Sequence, residues 1–302
     1  MATDSAAKWT SPMAYDRTKF ANAFAQAFGS SPQYNAGSLP STFALLGMIE
    51  KDRKITDLRW TAYMLATTMW ETTSPTSVPR PAKNRKGVAL KDKQGKPVMV
   101  KTVRWQMTMA PVTEVGHGKG RKYHEPAKIK LLADGSARIT EHDGDQFTVK
   151  PGGKVVPMTK TAKMGAKDAA VASDVYVKDD GVEQVFYGRG YVQLTWWSNY
   201  AKAGVALGRG LDLLLDPELV KTPQIAFALM SYGMRTGQIF ANGHMLDDYI
   251  SGDECDYDGA RAIVNGSDHA KDIAGIAKKF EAVLLKSRND AAVPPIDVKV
   301  IP

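Results

Sequence analysis

Within "LRWTAYMLATTMWETT", Trp60, Met64, Thr67 and Glu71 stand four, three and four residues apart, the spacing that puts side chains on one face of an α-helix. At about 100° per residue, eleven steps bring Glu71 to about 20° from Trp60, onto the apolar stripe. A carboxylate there is partly desolvated, which favours its protonated form, the property a general acid needs near neutral pH. The same residue near a helix end also suits pairing with an arginine or plain exposure to solvent. A second stretch, "EQVFYGRGYVQLTWWSNYAKAG" (183–204), packs glycine, aromatic and amide residues into a segment that is neither a clean helix nor a clean strand. Gly188 and Gly190 let the backbone approach closely or adopt positive φ, and Arg189 between them suits a buried ion pair that fixes the loop.

Helices are expected to position both segments. The first eighty residues read as helical: "RTKFANAFAQAFG" ends at Gly29, and a connector "GSSPQYNAGSLPS" separates it from the helix that carries Glu71. From Arg80 the character changes. "GVALKDKQGKPVMVKTVRWQMTMAP" reads as a hairpin around a "KQGK" turn, and "AKIKLLADGSARITEHDGDQFTVKPGGKVV" as an antiparallel meander with turns at "ADGS" and "HDGD". "KTAKMGAKDAAVASD" suits a short helix or a linker. After the glycine-rich stretch, "TPQIAFALMSYGMRTG" and "HAKDIAGIAKKFEAVLLKS" read as amphipathic helices, followed by a Pro-rich tail. The organisation expected is a helical part over 1–80, a hairpin over 81–113, a loop over 114–125, a β-rich insertion and linker over 126–183, a second helical part over 184–288 and a tail over 289–302.

The chain has 302 residues, 43% of them hydrophobic, enough for one large domain with insertions. No run approaches a membrane span, and "MATDSAAKWTSP" lacks a basic-then-apolar signal pattern, so synthesis in a cytoplasm without a signal peptide is expected. The only cysteine, Cys255, excludes an intramolecular disulfide and reads as a buried side chain. His117, His124, His142, His244 and His269 have no ligand-type spacing, so no metal site is expected. The net charge of +8 is uneven: residues 80–130 hold 14 Lys and Arg against 3 Asp and Glu, leaving 26 against 29 elsewhere. Such a tract favours a polyanion or is simply a solvated lysine-rich surface. Trp105 and Tyr123 are too sparse for a base-stacking platform, and no nucleic-acid-binding motif is present.

Taken together, the two opening segments resemble family 19 of the glycoside hydrolases, chitinases and lysozyme-like enzymes that include bacteriophage endolysins. "YGRGYVQLTWWSNYAKAG" is similar to the family's glycine-rich stretch, "WETT" to its His-Glu-Thr-[Thr/Ala] motif with Trp70 in place of the histidine, and "ARAIVNG" with "AKKFEAVL" to its late Ile-Asn-Gly segment and following helix. The resemblance spans Phe20 to Leu284, interrupted by the two β-prone tracts. It implies an α+β, mainly α fold: a lysozyme-like helical two-lobed body with a central cleft and inserted hairpin and meander segments. It places the general acid at Glu71, the general base at Glu114 within "EVGHGKGRKY", and substrate contacts at Gln193, Thr195, Asn199 and Asn265. Glu125 is the weaker candidate for the base, and Lys119, Arg121 and Lys122 surround Glu114 with positive charge that suits a carboxylate base.

A saccharide offers hydroxyls and flat apolar faces, so amides and hydroxyls beside aromatic rings suit it. Tyr187, Tyr191, Trp196 and Trp197 are the candidate rings, of which at most two are expected in the cleft, with Tyr191 taken as a contact. The activity implied is inverting hydrolysis of β-1,4 glycosidic bonds, with no cofactor. The charge of residues 80–130 favours bacterial cell-wall peptidoglycan, with an anionic outer-membrane lipid as a further partner, and hence an endolysin acting as a monomer on the wall. A chitinase is the alternative, followed by a non-catalytic glycan-binding or virion protein.

Overall fold

The structure is a computed structural model that describes residues 14–159 and 181–289. Its centre is a helix, α3 (Leu58–Glu71), in which eleven of fourteen residues are buried, so the helix is interior on nearly every side and the apolar stripe is only part of what it buries. Asp57 caps it by accepting from Arg59 N, and the same carboxylate holds the buried Arg59 guanidinium. The short strand β1 (Ala14–Tyr15) and helices α1 (Arg17–Phe28) and α2 (Leu39–Lys51) precede it. Pro40 sits in the first turn of α2, where a missing N–H costs nothing, so the helix begins inside the segment that reads as a connector.

Beyond the glycine-rich stretch come α4 (Trp197–Ala206), α5 (Asp212–Leu215), α6 (Pro223–Thr236), α7 (Ala262–Asn265) and α8 (Ala270–Ser287). The strong amphipathicity of α8 buries Phe280 against Phe24 and Phe28 of α1, with ring centroids 5.9 and 4.9 Å apart, and α8 also packs along α3. Gly237 ends α6 in the left-handed region at φ 70°, and a Cβ there would lie 2.8 Å from the Gly243 backbone. Mixed α+β architecture with helices dominant is what the chain shows.

The β elements are two separate constructions. Strands β2 (Ser74–Pro81) and β3 (Met99–Gln106) form an antiparallel ribbon, with Ser74 opposite Gln106 and Pro81 opposite Met99. The partner of β3 therefore lies mostly before Arg80, in a segment that reads as helical, and the "KQGK" turn closes only the bridge between Lys91 and Pro97 at the tip. Prolines at 75, 79 and 81 forbid helix and occupy alternate strand positions, where the absent N–H need not face the partner. Strands β5 (Ala127–Leu131), β6 (Ala137–Thr140), β7 (Gln146–Val149) and β8 (Val155–Thr159) form the meander, which β9 (Val182–Gln184) completes by pairing with β5. Ile129, Ile139 and Val149 of this sheet join the main hydrophobic core. Trp197 also anchors the sheet, its ring tilted against Phe147 at 5.2 Å and its indole N–H donating to Glu141 at 2.6 Å.

One expectation changes here. Cys255 is exposed rather than buried. "KTAKMGAKDAAVASD" and all but the first residue of the 289–302 tail lie outside the described residues. Among the described residues, no helix is long and apolar enough to cross a membrane.

Candidate active site

Glu71 is the last residue of α3, and the threonines after it close the helix. Thr72 Oγ1 donates to Thr68 O at 2.7 Å and Thr73 Oγ1 to Met69 O at 2.6 Å, satisfying carbonyls that the helix end leaves open. The Glu71 side chain is 16% exposed and accepts from Arg261 Nη1 at 2.7 Å, while Arg261 itself is almost fully buried. Arg261 Nε donates to Asp268 O, so the guanidinium is held from two sides. Burial pushes the Glu71 carboxyl above the usual carboxylate range, and the Arg261 charge and hydrogen bond pull against it without cancelling the rise. Both readings of Glu71 thus hold at once: it is desolvated, and it is paired with an arginine.

Glu114 arrives from a different direction. The short strand β4 (Val112–Thr113) pairs antiparallel with β10 (Arg189–Gly190), which sets Glu114 against the glycine-rich stretch. The two segments bond reciprocally: Glu114 N donates to Gly188 O at 2.7 Å, and Gly188 N donates to Glu114 Oε2 at 2.9 Å. Tyr123 Oη donates to the other carboxylate oxygen at 3.0 Å, and burial together with Glu114 pushes the phenol up to about 12. The loop between them turns through positive φ at Gly116, His117, Gly118 and Gly120. Gly118 leaves the space that the Tyr123 ring fills, since a Cβ there would lie 2.4 Å from it. Arg189 is buried and pairs with Glu218 at 2.8 Å while donating to the carbonyls of Val185 and Tyr187, so it fixes the loop from behind.

Glu71 and Glu114 line one pocket of about 520 Å3, together with Trp70, Trp105, Gln193, Thr195, Trp196 and Asn265. Gln193 stands at φ 51° and spends its amide N–H groups on the carbonyls of Val112 and Gly190. Two candidates are not brought there. Tyr191 is 1% exposed and belongs to the core, and Asn199 donates to Thr195 O at 3.0 Å, which makes it a support for Thr195. Of the four candidate rings only Trp196 lines the pocket. Its backbone sits at φ 71°, a conformation costly for a large side chain and held by Trp196 N donating to Phe186 O. Trp197 is buried against the sheet, and Tyr187 stacks on His117 and Arg189. Glu125 is exposed and lines a separate recess of about 50 Å3.

Sequence reasoning passed over Arg261, Tyr123 and the pocket positions of Trp70 and Trp105. Arg261 carried a signal: an arginine between Ala260 and "AIV" is buried only if paired. Among the described residues, the carboxylates of Glu141, Asp143 and Asp145 lie within 4.8 Å of one another in the turn between β6 and β7. Glu141 there is already engaged by Trp197, and none of the three lines the pocket.

Gly188→Ala tests the coupling between the two segments. An added Cβ would lie 2.8 Å from Gln193 Oε1 and 3.2 Å from Glu114 Cβ and Oε2, so both side chains must shift. The expected outcome is a folded protein whose turnover falls by about 10²-fold, the scale of a catalytic group displaced by about an ångström. Unchanged kinetics with normal melting would show that the contact does not position Glu114.

Comparison with known proteins bears on part of this arrangement. Residues 157–241 match the family model described as chitinase class I. The matched segment contains Gln193, Thr195 and the glycine-rich stretch, and neither Glu71, Glu114 nor Asn265. An acidic endochitinase of Solanum chilense is 36% identical over 77 residues, 25% of this chain and 30% of the relative. Chitinase 11 of Oryza sativa subsp. japonica is 36% identical over 115 residues, 32% and 44% of the two chains. Inactive chitinase-like protein 1 of Hevea brasiliensis is 52% identical over 40 residues, 13% and 12% of the two. The chain thus spans less than half the length of the curated relatives it matches. Across that segment the chain is similar to family 19 of the glycoside hydrolases, the family that the glycine-rich stretch and the Glu71 motif resemble.

Proposed function

We propose that the protein is an inverting glycoside hydrolase of β-1,4-linked N-acetylglucosamine polymers, with the pocket as the central cleft of a lysozyme-like two-lobed body. The observation that carries it is the pair of carboxylates on separate elements lining one pocket. Glu71 delivers its proton to the glycosidic oxygen as the bond to C1 breaks. Glu114 takes a proton from water as that water bonds to C1 from the opposite face, a division of labour suited to two carboxyl groups about 6.5–9.5 Å apart. Thr195 helps hold the water, Trp196 and Trp105 offer flat apolar surface to the sugar rings, and Asn265 meets the N-acetyl or hydroxyl groups. The endochitinase relatives favour a chitin-type backbone over the bacterial wall. Peptidoglycan shares half of that backbone, and the positive charge between residues 80 and 130 keeps it as the second reading.

Incubating the protein with N-acetylglucosamine hexamer and following the first products by NMR tests the reading. The α-anomer is expected at the new reducing end. Release of the β-anomer would exclude inversion, and absence of cleavage of both hexamer and purified peptidoglycan would exclude hydrolysis and leave a glycan-binding protein, inactive as the Hevea relative is named.

A further inference from the structure

The β2–β3 hairpin has a face of which the catalytic reading uses only Trp105. Side chains alternate along a strand, so the cross-strand pairs Pro75–Trp105, Ser77–Val103, Pro79–Lys101 and Pro81–Met99 share one side. On that side Trp105, Val103 and Met99 are 54, 68 and 53% exposed. Met99, Val103 and Trp105 take three of the four same-face positions on β3, with Lys101 between Met99 and Val103, and prolines take three of the four positions opposite, so the face is an apolar track crossed by one lysine. Eight residues of strand extend about 27 Å. The track begins at the pocket, because Ser74 and Trp105 both line it.

The charge is as one-sided as the apolar surface. Residues 74–106 hold nine Lys and Arg against the single acid Asp92, and no ion pair engages any of the nine among the described residues. Beyond the ladder the chain makes two tight turns, each closed by a side chain: Asn84 Oδ1 accepts from Lys86 N and Val88 N, and Asp92 Oδ1 from Gln94 N and Lys96 N. These turns fix the basic residues around the track without covering it.

We propose that this hairpin is a docking strip for an acidic glycan strand, one bearing carboxylates on its sugars or their substituents, that leads into the pocket. The inference rests on the hydrolase reading for the direction of the strand and on its second substrate, peptidoglycan, for the class of polymer. Apolar side chains along the strand meet sugar faces, and Lys101 among them with the flanking lysines meets the carboxylates, as neither a neutral polymer nor a small ligand requires. Continuity with the pocket favours a glycan over an anionic bilayer. So does the tip, where Lys93, Gln94 and Lys96 make the turn that would first meet a membrane the most polar part of the hairpin.

The test uses two sets of substitutions in the full chain: Lys91→Gln with Lys93→Gln and Lys96→Gln, and Met99→Ser with Val103→Ser. Binding is read by co-sedimentation with peptidoglycan sacculi, with chitin particles and with vesicles of anionic phospholipid, in the Glu71→Gln background so that nothing is digested. Turnover of N-acetylglucosamine hexamer is read in the otherwise wild-type background. Each set is expected to weaken sacculus binding about tenfold and to leave hexamer turnover within about twofold. Unchanged sacculus binding would overturn the proposal. An equal loss of hexamer turnover would make the hairpin a support of the pocket, and vesicle binding lost while sacculus binding persists would make it a lipid surface; either outcome defeats the glycan strip. Because binding is measured without catalysis, a wild type that hydrolyses nothing removes the hydrolase reading alone, whereas hydrolysis without sacculus binding removes the strip alone.

Discussion

Glu71→Gln is expected to lower hydrolysis by about 10²–10⁴-fold, the contribution of a positioned general acid, while the protein stays folded. The amide keeps the shape of the carboxyl and its carbonyl still accepts from Arg261, so the buried guanidinium retains a partner. It has no proton to give. Retention of more than about a tenth of wild-type activity at matched folded fraction would remove Glu71 from the role. The pH profile gives a second reading. A general acid works while protonated, so the rate falls as pH rises through its pKa. Burial sets that pKa above the usual carboxylate range and Arg261 draws it down. Arg261→Gln should therefore move the alkaline limb of the profile to higher pH, at a cost in stability from the lost hold on Asp268 O. A limb that stays in place would mean that another group delivers the proton.

How much of this was legible in the sequence depends on the range of the contact. Helices α1, α3, α6 and α8 follow from local periodicity and their end signals, and the meander from turns at fixed spacing. The hairpin was misplaced because β3 is paired by residues 74–81, a segment whose three prolines carry no strand propensity of their own. Tyr191 illustrates the limit for site residues. It sits inside the most characteristic motif of the chain, yet the turn over residues 191–193, entered and left through positive φ at Gly190 and Gln193, breaks the strand alternation and turns its ring into the core. Gln193 and Thr195 in the same motif line the pocket. A motif names the segment, and only the backbone path says which side of it faces substrate. Arg261 is the clearest case of a partner that local reading misses, standing 190 positions from Glu71 in the chain.

Glu114→Ala should lose most turnover and Glu125→Ala little, and geometry alone carries that contrast. The chain delivers Glu114 to the pocket wall through the β4–β10 pair and holds its two oxygens by the Gly188 N–H and the Tyr123 hydroxyl, so the carboxylate is fixed where Gln193 and Thr195 also converge. Glu125 precedes Pro126, which favours an extended backbone, and its φ and ψ of −71° and 133° carry it out of the loop toward β5. Its side chain is exposed and belongs to the recess beside Glu141 and Asp143, where no carboxyl partner for Glu71 is needed. Added azide separates a missing base from a damaged fold. In the cavity left by Glu114→Ala, a small anion takes the place of activated water, bonds to C1 from the same face and needs no proton removed from it, while Glu71 still protonates the leaving oxygen. The expected product is a glycosyl azide of inverted configuration, formed by Glu114→Ala and not by Glu125→Ala. Near-normal turnover in Glu114→Ala alongside collapse in Glu125→Ala would reverse the assignment, and azide rescue of the Glu125 variant alone would do the same.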